Sequence, residues 1–213
     1  MFQLNGRTAG AAYTMRPEDR ARGIPPHWGL YVCVLSADET AQKAARLGGR
    51  LLDPAFDVMD VGRMAVIQDP TGAVFMLWQP KRNTGVGAIN EIGAFCWADL
   101  MTPDLARAKA FYEPLFDWKF EARPGDLSGY MHIKNGGKAI GGLPPAGQRD
   151  PNIPPHWLIN FAVADAQGTT VQATGMGARV IVPLTILENV GRFSVIADPQ
   201  GAALTLFQPQ RSA

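Results

Sequence analysis

Short runs of alternating apolar and polar residues, the mark of half-buried strands, recur along the chain, and between them lie stretches with helical spacing. Residues 1–4 alternate and run into Asn5-Gly6, a pair that tolerates positive φ and so closes a hairpin, with a return strand expected through 9–15. Charges and prolines over 16–25 predict a loop, and Pro25-Pro26 holds the chain extended before a strand over 28–35. Ser36 suits an N-cap for a helix over 37–47 that stops at Gly48-Gly49. Strands are expected near 50–52, 63–68 and 74–78. The last two are joined by Asp69-Pro70-Thr71-Gly72, which has the residues of a type I turn.

A polar stretch over 81–91 leads to a strand at 93–100. Thr102 as N-cap, Pro103 at the first helical position and Asp104 in the first turn predict a helix that buries Leu105, Ala108, Phe111, Tyr112, Leu115 and Phe116. Strands at 118–122, 129–134 and 139–143 follow, the last two joined by a turn at Asn135-Gly136.

From Ile153 the pattern begins again. Residues 153–209 overlay residues 24–80 without a gap and agree at roughly 24 of 57 positions. Ile24-Pro25-Pro26-His27-Trp28 falls on Ile153-Pro154-Pro155-His156-Trp157, Val61-Gly62-Arg63 on Val190-Gly191-Arg192, and Gln79-Pro80 on Gln208-Pro209. Agreement at this level makes the stretch an internal repeat of a whole structural unit. The order strand, helix, three strands runs over 28–78, 93–143 and 157–207, and residues 1–15 read as the tail of one more copy. That copy lacks the counterpart of its first strand, helix and next strand. The preferred reading is that translation starts further upstream; the alternative is a partner chain that covers the exposed edge and apolar face, which predicts a homodimer.

Composition narrows the function. Twenty basic residues against nineteen acidic ones leave a net charge of +1, so no electrostatic footprint for nucleic acid or an anionic membrane exists. Two cysteines, Cys33 and Cys96, suggest neither a disulfide framework nor a cysteine zinc cluster, and a cytoplasmic location is expected. No stretch has the form of a signal peptide or a membrane span.

The paired βαβββ pattern, the segment FCWADLMTPDLARAKAFYEPLFDWKF at 95–120 and the ending DPQGAALTLFQP resemble the vicinal oxygen chelate superfamily of glyoxalases, bleomycin-resistance proteins and extradiol dioxygenases, in particular its tandem two-domain members. The resemblance implies an α+β fold in which paired βαβββ modules form incomplete eight-stranded barrels, one complete and one truncated at its N-terminus. The expected domains are 1–80 (the tail of one module and one full module), a linker at 81–90, and a complete domain at 91–213. In that superfamily, metal-dependent members carry inward-facing His and Glu or Gln ligands on the first and last strands of each module.

Strand alternation tests those places. With Cys96, Ala98 and Leu100 facing a helix, Phe95, Trp97 and Asp99 face the cleft, and Trp97 stands where the family's first histidine is expected. With Trp157, Ile159, Phe161 and Val163 in the core, Leu158 and Asn160 look inward, Leu158 at the second ligand place. Leu204 and Leu206 are core, which leaves Phe207 on the cleft face and puts Thr205 in place of the usual glutamate. In the first copy the matching residues are Gly29 and Met76. Trp, Leu and Thr do not supply the donors a divalent ion requires, so the expectation is no metal and no cofactor.

The other candidates are Tyr130 and His132, which share one strand face with Lys134. His27 and His156 either reach a ligand carbonyl or, on the plainer reading, fix a loop through backbone groups. Trp97 is either a stacking platform for a planar ligand or a plug that fills the cleft. The run Asn135-Gly136-Gly137-Lys138 reads as a hairpin turn, and Glu91, Asp126 and Glu188 as solvated acids.

The leading expectation is a metal-free binder of a small planar organic molecule, lined by Phe95, Trp97, Asp99, Tyr130, His132, Leu158, Asn160, Thr205 and Phe207. The alternatives are a lyase or dioxygenase with atypical metal ligands, a metal-free catalyst using His132 or Asp99 as base, and an assembly module with vestigial clefts.

Overall fold

A computed structural model describes residues 1–210. In chain order the strands and helices are β1 (Phe2–Leu4), β2 (Arg7–Gly10), α1 (Pro17–Ala21), β3 (Tyr31–Cys33), α2 (Ala37–Arg46), β4 (Arg50–Val58), β5 (Gly62–Gln68) and β6 (Val74–Pro80). There follow β7 (Phe95–Met101), α3 (Leu105–Phe116), β8 (Lys119–Ala122), β9 (Met131–Asn135) and β10 (Lys138–Leu143). A 3₁₀ turn at Ala146–Gln148 precedes β11 (His156–Ala162), α4 (Ala166–Gly175), β12 (Arg179–Leu187), β13 (Gly191–Ala197) and β14 (Ala203–Pro209). The fold is mixed α and β, and among the described residues no helix is long and apolar enough to cross a membrane.

Backbone proximity groups the chain into two compact units. The first holds Met1–Trp28, Val86–Trp97 and the chain from Leu158 onward, and the second holds Gly29–Gly85 and Ala98–Trp157. This grouping follows packing, whereas the repeat follows sequence, and neither boundary set bears on the other.

In the first unit, β1 and β2 form the expected hairpin, with Leu4 opposite Arg7 and both Asn5 and Gly6 at positive φ. Strands β12, β13, β14 and β11 lie side by side in that order, β11 parallel to β14. One face of this sheet carries Ile196, Leu204 and Leu206, packed with Ala178, Ala173, Phe161, Val163 and Trp28. The start of β7 and the residues before it bond to the end of β11, through Gly93 N–H to the Ala162 carbonyl and Ala162 N–H to the Ala94 carbonyl.

In the second unit, β3, β6, β5 and β4 form one sheet, and the end of β7 pairs with β10, which continues to β9 and β8. Helix α2 starts at Ser36, whose hydroxyl accepts from Glu39 N–H, and it buries Ala37, Ala41 and Ala44. Helix α3 buries Ala108, Phe111, Tyr112 and Leu115.

Several local readings needed correction. The N-cap of α3 is Asp104, whose carboxylate accepts from Arg107 N–H at 2.9 Å, while Thr102 Oγ accepts from Asp104 N–H at 3.3 Å. A carboxylate is the stronger acceptor at the positive end of a helix, so it takes the cap and Pro103 falls before it. The β9–β10 turn is Gly136-Gly137 rather than Asn135-Gly136: Asn135 pairs with Lys138, and both glycines have positive φ. Gly-Gly meets the need for positive φ at both places as readily as Asn-Gly does, so strand pairing sets the register of this turn. The strand expected at 9–15 ends at Gly10, and the loop at 16–25 contains α1, opened by Pro17. β3 is confined to Tyr31–Cys33, and β4 runs on to Val58 because Phe56, Asp57 and Val58 find partners in β5. Glu91 is not solvated alone but takes an ion pair from Arg7 at 2.6 Å, and the Asp126 carboxylate accepts from Ser128 N–H.

Candidate functional site

The nine candidate residues fall into two groups. Phe95, Trp97, Leu158, Asn160, Thr205 and Phe207 belong to the first unit, and Asp99, Tyr130 and His132 to the second.

In the first group, parallel register sets Asn160 of β11 beside Thr205 of β14, and antiparallel register sets Val195 of β13 on its other side. Leu204 and Leu206 point into the helix-covered core, so alternation turns Thr205 to the opposite face. On that face Thr205 is 2% exposed and Asn160 5%, while Leu158 and Phe207 on the same two strands are only half-buried. The Asn160 amide donates to the Leu158 carbonyl at 3.2 Å. The Thr205 hydroxyl is buried and has no hydrogen-bond partner among the described residues. A buried hydroxyl without a partner is costly, and in native proteins such groups commonly mark a place where a ligand or water completes the pairing. Phe95, Trp97, Leu158 and Phe207 are half-buried.

Trp97, Leu158 and Thr205, which stand where the resemblance expects metal ligands, offer an indole, an isobutyl group and a hydroxyl, and none is a good donor to a divalent ion. Among the described residues, no three His, Cys, Asp or Glu side chains converge on a point that could hold a metal. The residues present do not fit the implied metal. In the first copy the equivalent place is filled: a Cβ on Gly29 would lie 2.1 Å from Met76 Cε, so the thioether occupies the space a side chain at 29 would need.

The second group is a polar arrangement on adjacent strands. Gly142 of β10 sits opposite Asp99 of β7 on one side and His132 of β9 on the other. Tyr130 lies over that glycine, where a Cβ would meet its hydroxyl at 1.8 Å, and its hydroxyl donates to Asp99 Oδ1 at 2.5 Å. The His132 ring stands edge-on to Tyr130 with centroids 5.2 Å apart. Burial, followed by the nearby Arg123 charge, lowers the His132 pKa below the ordinary imidazole value. Glycine at 142 is what lets the phenol reach the carboxylate. The nucleus was legible as a shared strand face, but Gly142 carried no signal of its own.

A histidine whose folded pKa lies below its unfolded value binds fewer protons when folded, so its contribution to stability is present above the unfolded pKa and declines as pH falls. An NMR titration of the His132 ring should therefore give a midpoint below that of a free imidazole. A midpoint at or above it would contradict the buried placement.

The duplicated histidines behave alike. His27 Nδ1 lies 2.8 Å from the Pro25 carbonyl and His156 Nδ1 2.8 Å from the Pro154 carbonyl. A carbonyl only accepts, so Nδ1 carries the proton in each, and both rings brace the extended entry to a strand.

The sequence reading missed a buried polar chain in the second unit. The indole of Trp157 donates to the Tyr112 hydroxyl at 3.1 Å, which donates to Asp69 Oδ2 at 2.8 Å. Tyr112 is wholly buried, and burial together with the Asp69 charge raises its pKa well above that of a free phenol. Its ring stacks on Trp118 at 5.7 Å and meets Phe75, Phe111 and Trp157 at an angle. Asp69 was readable as a turn residue and Tyr112 as a core residue. Nothing local joined residues so far apart in sequence.

Residues 90–206 match the model of the Glyoxalase/Bleomycin resistance protein/Dioxygenase superfamily. Over 98% of its length the chain is 39% identical to CFP32 of Mycobacterium tuberculosis, which carries a provisional glyoxylase name, and it covers 79% of that protein. It is 28% identical to the anthracycline biosynthesis protein DauV of Streptomyces sp. strain C5, with 90% of this chain and 69% of that protein aligned. Among solved structures, the Mn(II)-bound glyoxalase of Novosphingobium aromaticivorans aligns with a TM-score of 0.56 at 13% identity, over 84% of this chain and 61% of that one, a likeness of fold. With a family model spanning more than half its length and a relative this similar along nearly all of it, the chain belongs to the glyoxalase/bleomycin resistance/dioxygenase superfamily.

Proposed function

We propose that this chain binds a small planar organic molecule without a metal ion, on the sheet face that carries Trp97, Leu158, Asn160, Thr205 and Phe207. The observation that carries the reading is the Thr205 hydroxyl, buried at 2% exposure with no partner among the described residues, beside a buried amide at Asn160. A ligand oxygen bonded there would relieve its cost, and an aromatic ligand suits the half-buried Trp97 indole as a stacking surface. The anthracycline biosynthesis name of DauV agrees with a planar polycyclic ligand.

Two measurements on the purified chain test this. Elemental analysis of protein prepared without chelators should find no stoichiometric iron, nickel, zinc or manganese. Thr205→Val should stabilise the free protein by about 1 kcal/mol, because it replaces an unsatisfied hydroxyl with an isosteric methyl. The same variant should lose about tenfold in affinity for an anthraquinone-type ligand followed by tryptophan fluorescence. A stoichiometric metal, or unchanged binding by the valine variant, would overturn the proposal.

A second reading has one observation in its favour. The short Tyr130–Asp99 hydrogen bond lies beside His132, whose pKa burial lowers, an arrangement able to move a proton in a metal-free catalyst. Turnover of a ligand that Asp99→Asn abolishes and Thr205→Val only weakens would favour it.

A further inference from the structure

The two copies of the repeat build the same helix and the same edge strand, yet they show different chemistry to solvent. Residues 37–58 of the first copy carry seven charges, among them Asp38, Asp53 and Asp57. The matching residues 166–187 carry one, Arg179, and the places of those three acids hold Gln167, Val182 and Ile186. Fourteen of these 22 residues are nevertheless exposed, Ile186 at 71%.

The difference is sharpest where β12 ends. In the first copy Arg63 pairs with Asp38 at 2.7 Å and with Asp57 at 3.2 Å, and Lys81 joins Asp57 at 3.0 Å. In the second copy Arg192 keeps its place, but the two acids are Gln167 and Ile186 and the lysine is Gln210. The fold accepts a charged network here, so an exposed isoleucine is no demand of the core. β12 is also the edge of its sheet, paired only with β13. An edge normally carries charges that discourage pairing, and the first copy's β4 has them in Asp53 and Asp57.

We infer that β12 and the turn after it are the contact between two copies of this chain, packed antiparallel about a two-fold axis. The charges at its ends select this occupant. The apolar stretch starts after Arg179 and stops before Glu188, and among the described residues neither has an ion-pair partner. An antiparallel two-fold sets the start of one strand beside the end of the other, so Arg179 meets the partner's Glu188, and the pair forms twice. The same packing through β4 would crowd four carboxylates together. Pro183 has no N–H and two register shifts bend β12 against β13, so side chains make the contact rather than a continued ladder. The two-fold then closes the assembly at a dimer.

Size exclusion with light scattering on the full chain, over a concentration series, tests this. The chain should form a dimer. Ile186→Asp, which installs the residue of the first copy at an exposed place, should weaken association about a hundredfold, because the two-fold puts the change in the contact twice. Arg179→Glu should weaken it as well, and adding Glu188→Arg to that variant should restore it. Met59→Asp, 80% exposed at the matching place of Glu188, should leave it unchanged. Circular dichroism verifies that each variant is folded. A monomer at every concentration would overturn the inference, as would a dimer indifferent to Ile186→Asp, a charge swap that fails to restore pairing, or equal loss with Met59→Asp. A dimer that survives Ile186→Asp and dissociates with Phe2→Asp would overturn it too, by placing the contact on the N-terminal hairpin.

Discussion

Asp69→Ala is expected to lower the unfolding free energy by about 4 kcal/mol, whereas Asp198→Ala, at the matching place of the second copy, should cost only about 1 kcal/mol. The two aspartates open the same turn. Asp69 is 3% exposed and accepts from Thr71 N–H, the Thr71 hydroxyl, Gly72 N–H, Ala73 N–H and the Tyr112 hydroxyl. Removing its carboxylate leaves the tyrosine hydroxyl and a buried amide unpaired in a site closed to water, and each such group costs more than the bond it made. Asp198 accepts from two backbone N–H groups and is half-exposed, so water takes over when it is lost. Denaturant unfolding of both variants measures the difference directly. Equal losses would mean that the turn alone matters and the Trp157–Tyr112–Asp69 chain contributes nothing.

Gly62→Ala and Gly191→Ala should each cost about 3 kcal/mol, for different reasons. These glycines are the same position in the two copies. A Cβ on Gly62 would come within 2.2 Å of the Trp78 indole, which is buried and pinned by its own N–H bond to the Asn83 carbonyl at 2.9 Å. A Cβ on Gly191 would instead meet the Gln208 carbonyl oxygen at 2.3 Å, on a backbone with φ of +151°. A rigid ring blocks the first and the backbone itself blocks the second, so neither neighbour can turn aside. Losses below about 1 kcal/mol in thermal or denaturant melts would show that the strands give way easily. By contrast, the collision at Gly29 is with the end of a flexible methionine, and substitution there should be far milder.

The candidate site was legible to the extent that it depended on strand period. Alternation along β11 and β14 correctly separated Leu204 and Leu206 from Thr205, and Tyr130 and His132 do share a face with a ring contact. Alternation does not reveal burial. It gave Thr205 a direction, but only packing showed its hydroxyl closed off without a partner among the described residues. Nor does it reveal reach: the Tyr130–Asp99 bond exists because Gly142 leaves room between the strands that carry them. The N-cap of α3 and the β9–β10 turn were misplaced by one or two residues because several residues competed for one role, and the contest is decided by acceptor strength and Cβ sterics.

What the sequence determined by itself is whatever depends on period, on turn chemistry and on copying. The repeat, the order of strands and helices, the family and the absence of ligand-type side chains at three positions all follow from residues near one another or at a fixed shift. The tertiary structure decided whatever depends on neighbours distant in the chain: that Asp69, Tyr112 and Trp157 form one buried chain, and that Met76 fills the space above Gly29. The reason is physical. A hydrogen bond or a filled void is a relation between atoms brought together by folding, and two copies of one pattern acquire different contacts when their surroundings differ.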